Sequence, residues 1–176
     1  MILDEFYLEI LNRLNSVEIG IQYIDLWNDQ IEKNQDKEDN LFFNYPAVFL
    51  DIHPIEWITL GRKKQAAIVE FDIIVASESL HETSSIETPE ERILALKHLK
   101  LLEDVFINLH GYFKAFDSGN SFGSISRNGM NFEFEGSDQI NSNVIPFKCR
   151  MVDVSAMKKT VKKGSNVVLN NAVKLP

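Results

Sequence analysis

Residues 66–77 read AAIVEFDIIVAS and carry the strongest strand pattern in the chain. Val69, Phe71, Ile73 and Val75 take every second position and are all apolar, while Ile68, Glu70, Asp72 and Ile74 between them mix aliphatic and acidic side chains. Successive side chains of an extended chain point to opposite faces, so this spacing predicts a strand with one face in a core and the other partly wet. Residues 56–60 begin a second strand, and Gly61-Arg62-Lys63-Lys64 makes a basic turn between the two, so the pair is expected to form a hairpin. Residues 45–52 (YPAVFLDI) form a short apolar run of buried-strand type. Pro46 stands at its first position, where a missing N–H is tolerated, and Pro54 breaks it. A shorter strand is expected over residues 20–27, where Ile19, Ile21 and Tyr23 alternate with polar positions, and the polar residues 28–40 are expected to form a surface loop.

Two segments have helical period. Leu3, Phe6, Tyr7, Ile10, Leu11 and Leu14 line one face of residues 2–15, Asp4 and Glu5 suit the positive end of the helix dipole, and Asn15 and Ser16 are plausible terminators. Thr88-Pro89-Glu90-Glu91 is a capping box with proline at the first helical position. The helix it opens is expected to run to about His110, with Ala95, Leu99, Leu102, Val105, Phe106 and Leu109 as its buried stripe and Gly111 at C′. After a Gly/Ser-rich stretch at 117–126, alternating segments recur at 121–127, 130–135 and 143–154, and Asn128-Gly129 predicts a type I′ hairpin between the first two. The order helix, strands, helix, strands implies an α+β fold: a mostly antiparallel sheet with two amphipathic helices packed on one face. The connections are too short for repeated βαβ crossovers.

With 176 residues, 44% of them hydrophobic and 25% charged, the chain has the size and composition of one globular domain. The single cysteine rules out a disulfide framework within the chain. No apolar run is long enough to cross a bilayer, and MILDEFYLEI does not read as a signal peptide, so a soluble, cytosolic protein is expected. The net charge of −8 is uneven. Residues 155–176 hold five lysines (Lys158, Lys159, Lys162, Lys163, Lys174) and no acid, leaving 13 basic against 26 acidic side chains elsewhere. That division suggests a domain over residues 1–155 and a basic extension over 156–176. A body this acidic repels phosphate backbones, whereas the extension, with Val161, Val167, Val168 and Leu169, could bind nucleic acid or an acidic neighbouring subunit.

Few residues stand in patterns that carry chemistry. There is no Walker-type or dinucleotide-binding glycine motif, and Gly119-Asn120-Ser121-Phe122-Gly123 does not open a helix. His98 and His110 are about 18 Å apart along one helix, too far to share a metal, and His53 and His81 have no partner at ligand spacing. Cys149 lies among apolar neighbours and reads as a core residue. Trp27, Trp57, Phe49, Phe71 and Phe106 read as packing residues. No catalytic, cofactor-binding or metal-ligating residue is assigned. Glu133 and Glu135 share a strand face, as do Glu70 and Asp72. The latter pair lies opposite the core side and should meet basic groups if it is not open to solvent. We therefore take Glu70 and Asp72, with Lys158, Lys159, Lys162 and Lys163, as candidate subunit-interface residues, and Lys63 and Lys64 as further candidate partners.

The ordered motifs Asp25-Leu26-Trp27-Asn28-Asp29-Gln30, Tyr45-Pro46-Ala47-Val48-Phe49-Leu50, Ile55-Glu56-Trp57, Leu60-Gly61-Arg62-Lys63-Lys64-Gln65, His81-Glu82-Thr83, Leu109-His110-Gly111 and Phe147-Lys148-Cys149-Arg150-Met151 span most of residues 2–155. In this order the chain resembles the tail terminator (tail completion) proteins of long-tailed bacteriophages and related prophages. The resemblance implies a structural protein of the virion tail or neck, assembled in the bacterial cytoplasm, with helices on a mostly antiparallel sheet and no catalytic residues. It further implies a homo-oligomeric ring, typically a hexamer, that caps the tail tube, stops its polymerisation and joins it to the head connector or adaptor protein. Genomic DNA would pass through without specific binding, and no membrane is involved. A different head–tail connector or head-closure protein, or a small-molecule-binding or enzymatic α+β domain, remains an alternative at this point.

Overall fold

The computed structural model describes residues 1–16, 20–31, 43–78, 86, 88–131 and 140–157. Helix α1 (Ile2–Leu14) is followed by strands β1 (Tyr23–Leu26), β2 (Ala47–Ile52), β3 (Ile58–Gly61) and β4 (Lys64–Glu78). Helices α2 (Pro89–Ala95) and α3 (Lys97–Leu109) come next, then the short strands β5 (Lys114–Ala115), β6 (Ser121–Phe122) and β7 (Ser126–Arg127), and last β8 (Ile140–Asp153). These elements make the expected α+β fold, a large and mostly antiparallel curled sheet with helices on it.

The sheet is organised around β4, whose 15 residues pair antiparallel with β8 along their length, from Gln65 opposite Asp153 to Glu78 opposite Ile140. Its other edge is shared. β2 takes the stretch from Phe71 to Ala76, and β3 takes the stretch from Lys64 to Ala66. β1 runs parallel to β2, a single parallel pair at the edge of the antiparallel arrangement. The expected β3–β4 hairpin is present, turning through Arg62 (φ 48°) and Lys63 (φ 64°). Both turn residues have the positive φ that a two-residue hairpin of right-handed twist requires.

Period two carries through to burial. Val69, Phe71, Ile73 and Val75 face α1 and α3, and all four are buried with Phe6, Ile10, Leu102, Val105, Phe122 and Phe147 in the main core. The rings of Phe6 and Phe71 meet edge-on with centroids 5.2 Å apart, and Phe71 stacks on Phe147 at 5.7 Å. The opposite face is only partly wet. At the Glu78 end, Ile74, Ala76, Ala47 and Phe49 are covered by Tyr23, Trp27, Ile31, Phe43 and Tyr45 in a second core. Gln30 and Ile31, expected in a surface loop, are therefore buried. Residues 32–42 of that loop lie outside the described residues, and the expected strand at 20–27 is confined to β1.

Two expectations for the second half are corrected. The capping box forms as read, with Thr88 accepting from the Glu91 N–H, but the helix it opens divides at Leu96 into α2 and α3. The buried stripe of α3 is His98, Leu101, Leu102, Val105 and Leu109; Leu99 is exposed and Phe106 only half-buried. A polar ring displaces Leu99 from the interface because it finds two partners in the sheet, described below. The type I′ hairpin at Asn128-Gly129 does not form. Instead Ser121, Ser126 and Asn131 stand opposite Val152, Lys148 and Val144, and the Asn128 N–H donates to Pro146 O at 2.7 Å. The whole segment runs down the edge of β8 as one interrupted strand, gaining a residue on its partner at two bulges.

Candidate subunit interface

Directly opposed residues of an antiparallel pair share a face. On the face away from α1 and α3, β4 and β8 therefore place Ile68 beside Arg150, Glu70 beside Lys148, and Asp72 beside Pro146. β2 adds Asp51 opposite Asp72, and β3 adds Ile58 opposite Ala66. Among the described residues no second layer covers this half of the sheet. Ile58 is 68% exposed, Ile68 61% and Leu60 49%. All four residues of β3 are exposed, as are Arg62, Lys63 and Lys64. Among the described residues no strand pairs with the outer edge of β3. The β3–β4 hairpin thus forms the edge of the sheet here, with three bare aliphatic side chains and a cationic tip, while β8 pairs the other side of β4 from Gln65 onward.

Glu70 and Asp72 share this face as expected, yet they differ in kind. Glu70 is exposed, with Lys148 across the strand. Asp72 is half-buried: its Oδ2 lies 3.0 Å from His53 Nε2, while its Oδ1 is buried with no hydrogen-bond partner among the described residues. The partner is held there by backbone: the His53 N–H donates to Glu70 O at 3.1 Å. Lys158, Lys159, Lys162 and Lys163 lie outside the described residues, as do Glu133, Glu135 and His81. Lys63 and Lys64 are at the hairpin tip, well along the strand from Asp72.

The opposite end of β4 has a different character. Ser77 Oγ lies 2.7 Å from His98 Nδ1, and Asn143 Oδ1 bonds His98 Nε2. Asn143 Nδ2 donates to Asn131 O, so Oδ1 faces the ring, Nε2 carries the hydrogen and Nδ1 accepts from the Ser77 hydroxyl. Burial holds the imidazole pKa below its ordinary value and keeps the ring neutral. The three residues are buried at the seam between α3, β4 and β8, and they pin the helix to the sheet. Beyond this seam, α2 buries none of its residues and presents Ile93 (66% exposed) and Leu94, followed by Leu96 and Leu99. The sequence signals neither the triad nor this surface, because each depends on segments distant along the chain.

Elsewhere the polar groups serve the fold. Cys149 is buried, and desolvation pushes its thiol up to about 12, so it stays protonated. A cleft of about 580 Å³ opens beside Met1, Glu5, Ser118, Asn120 and Ser155. There Asn120 donates to Glu5 Oε2 at 2.6 Å and accepts from the Val154 N–H at 2.8 Å. Among the described residues no group of three or more His, Cys, Asp or Glu side chains could hold a metal ion, and no helix is long and apolar enough to cross a membrane. Neither a protein-family model nor a curated protein matches this chain.

Proposed function

We propose that this protein is a structural subunit of a bacteriophage tail or neck, without enzymatic activity of its own. It assembles into a ring that caps the tail tube, stops its polymerisation and joins the tail to the head connector or adaptor. The observation that carries this reading is the edge hairpin β3–β4, with Ile58, Leu60 and Ile68 bare and Arg62, Lys63 and Lys64 at or beside its tip. Covering an aliphatic side chain of this size is worth about 1.5–3 kcal/mol, so a partner seated on the hairpin gains stability from each one it buries. The order of short motifs supports the tail-terminator assignment, and Tyr45-Pro46-Ala47-Val48-Phe49-Leu50 folds as the entry to and first part of the buried strand β2. The excess of acids in residues 1–154 suits a passage for DNA, because like charge keeps phosphates from sticking.

Light scattering coupled to size exclusion tests the reading on the purified full chain. The expected result is one closed oligomer whose mass is a fixed multiple of 20.2 kDa over a range of loading concentrations. A monomer at the highest soluble concentration contradicts it.

A further inference from the structure

Resting on the ring reading, we propose which two surfaces of the chain meet: the β3–β4 hairpin of one copy docks on α2 and the start of α3 of the next. Among the described residues both are uncovered apolar surfaces, and they stand at opposite ends of β4. The hairpin lies at the Lys64 end of β4. The helical surface lies at the Glu78 end, tied there by the bond from Ser77 to His98. Fourteen steps of strand at ~3.3 Å each put the two ends of β4 roughly 45 Å apart, so one copy cannot bring its own hairpin onto its own helix. Two different patches on opposite ends meet only head to tail, and a head-to-tail contact closes into a ring when its rotation allows.

Their chemistry is matched. The hairpin offers Ile58, Leu60 and Ile68, and the helices offer Ile93, Leu94, Leu96 and Leu99, all more than a third exposed. Arg62, Lys63 and Lys64 crown the first patch, outnumbering the exposed acids Glu56 and Glu70 near it. Glu78, Glu90 and Glu91 flank the second against Arg92 and Lys97, while Lys100 is paired with Asp104 at 2.6 Å. Opposite charge of this kind steers and orients the encounter, while the aliphatic side chains supply the area that holds it. α2 explains itself in the same terms: a capped helix with apolar side chains and no buried residue is complete only when a neighbour covers it.

The test uses Ile58→Glu and Ile93→Glu, two exposed positions at which a carboxylate leaves the fold intact, checked by an unchanged circular dichroism spectrum. Each variant alone is expected to run as a monomer where the wild type runs as a ring. Mixed in equal amounts they are expected to form a complex of two chains and stop, because Ile93→Glu keeps a working hairpin, Ile58→Glu keeps a working helix, and only one contact can form. A variant that assembles like the wild type, or a mixture that stays monomeric or grows beyond two chains, overturns this pairing and leaves the ring reading standing. A wild-type chain that never assembles overturns both.

Discussion

Phe71 is fully buried between Phe6 and Phe147, and its position was legible from the alternation along β4. Phe71→Ala is expected to cost ~3–5 kcal/mol, read as a lower denaturant midpoint at constant slope. A midpoint close to the wild type would show that the ring is not a core member. Phe106 was read in the same way, but Arg127 lies over its ring, 3.8 Å from the centroid, on the rim of the core, so its truncation costs less than that of Phe71. His98 was legible only as a helix residue, since its partners Ser77 and Asn143 lie 21 and 45 residues away. Its depressed pKa makes a pH prediction. The folded-state value lies below the unfolded one, so the neutral ring stabilises the fold above the ordinary imidazole range, and that contribution is lost as pH falls through it. Between about pH 7.5 and about pH 5.5 the wild type should therefore lose more stability than His98→Gln. Equal acid sensitivity of the two chains would remove His98 from the account.

At the scale of elements, strong local signals held where no tertiary contact opposed them. The capping box at Thr88 formed because its bonds are internal to the first turn, with the Thr88 N–H donating to Glu91 Oε2 at 3.1 Å. Thr88→Ala should remove about 0.5–2 kcal/mol from α2. Because α2 contributes no buried residue to the core, that loss should appear as faster amide exchange over residues 89–95, with the global unfolding midpoint unchanged. A lowered global midpoint would instead mean that α2 is coupled to the core. The Asn128-Gly129 signal failed for the opposite reason. The open edge of β8 offered hydrogen bonds along the whole segment from Ser121 to Asn131, and a local turn preference is small beside a ladder of backbone bonds. The division at Leu96 was likewise hidden, since no glycine or proline marks it in the sequence.

For the whole molecule, the fold class was readable from the order of elements, and the second core was not. Its cover comes from Tyr23, Trp27, Ile31, Phe43 and Tyr45, residues scattered through segments that read as short strand and loop. The proposed interface was half-legible. Glu70 and Asp72 announced an exposed charged face, but the bare aliphatic side chains beside them became visible only when β3 was seen to lie outside the second core. What results is a chain with a basic apolar arm at one end and an acid-flanked apolar helix at the other, a polarity suited to closed head-to-tail assembly around DNA. Negative-stain electron microscopy of the purified full chain tests that claim most directly. The account predicts end-on views of a closed ring of identical subunits with an open centre wide enough for duplex DNA. Particles that are single subunits, or two-fold dimers with no central opening, would contradict it.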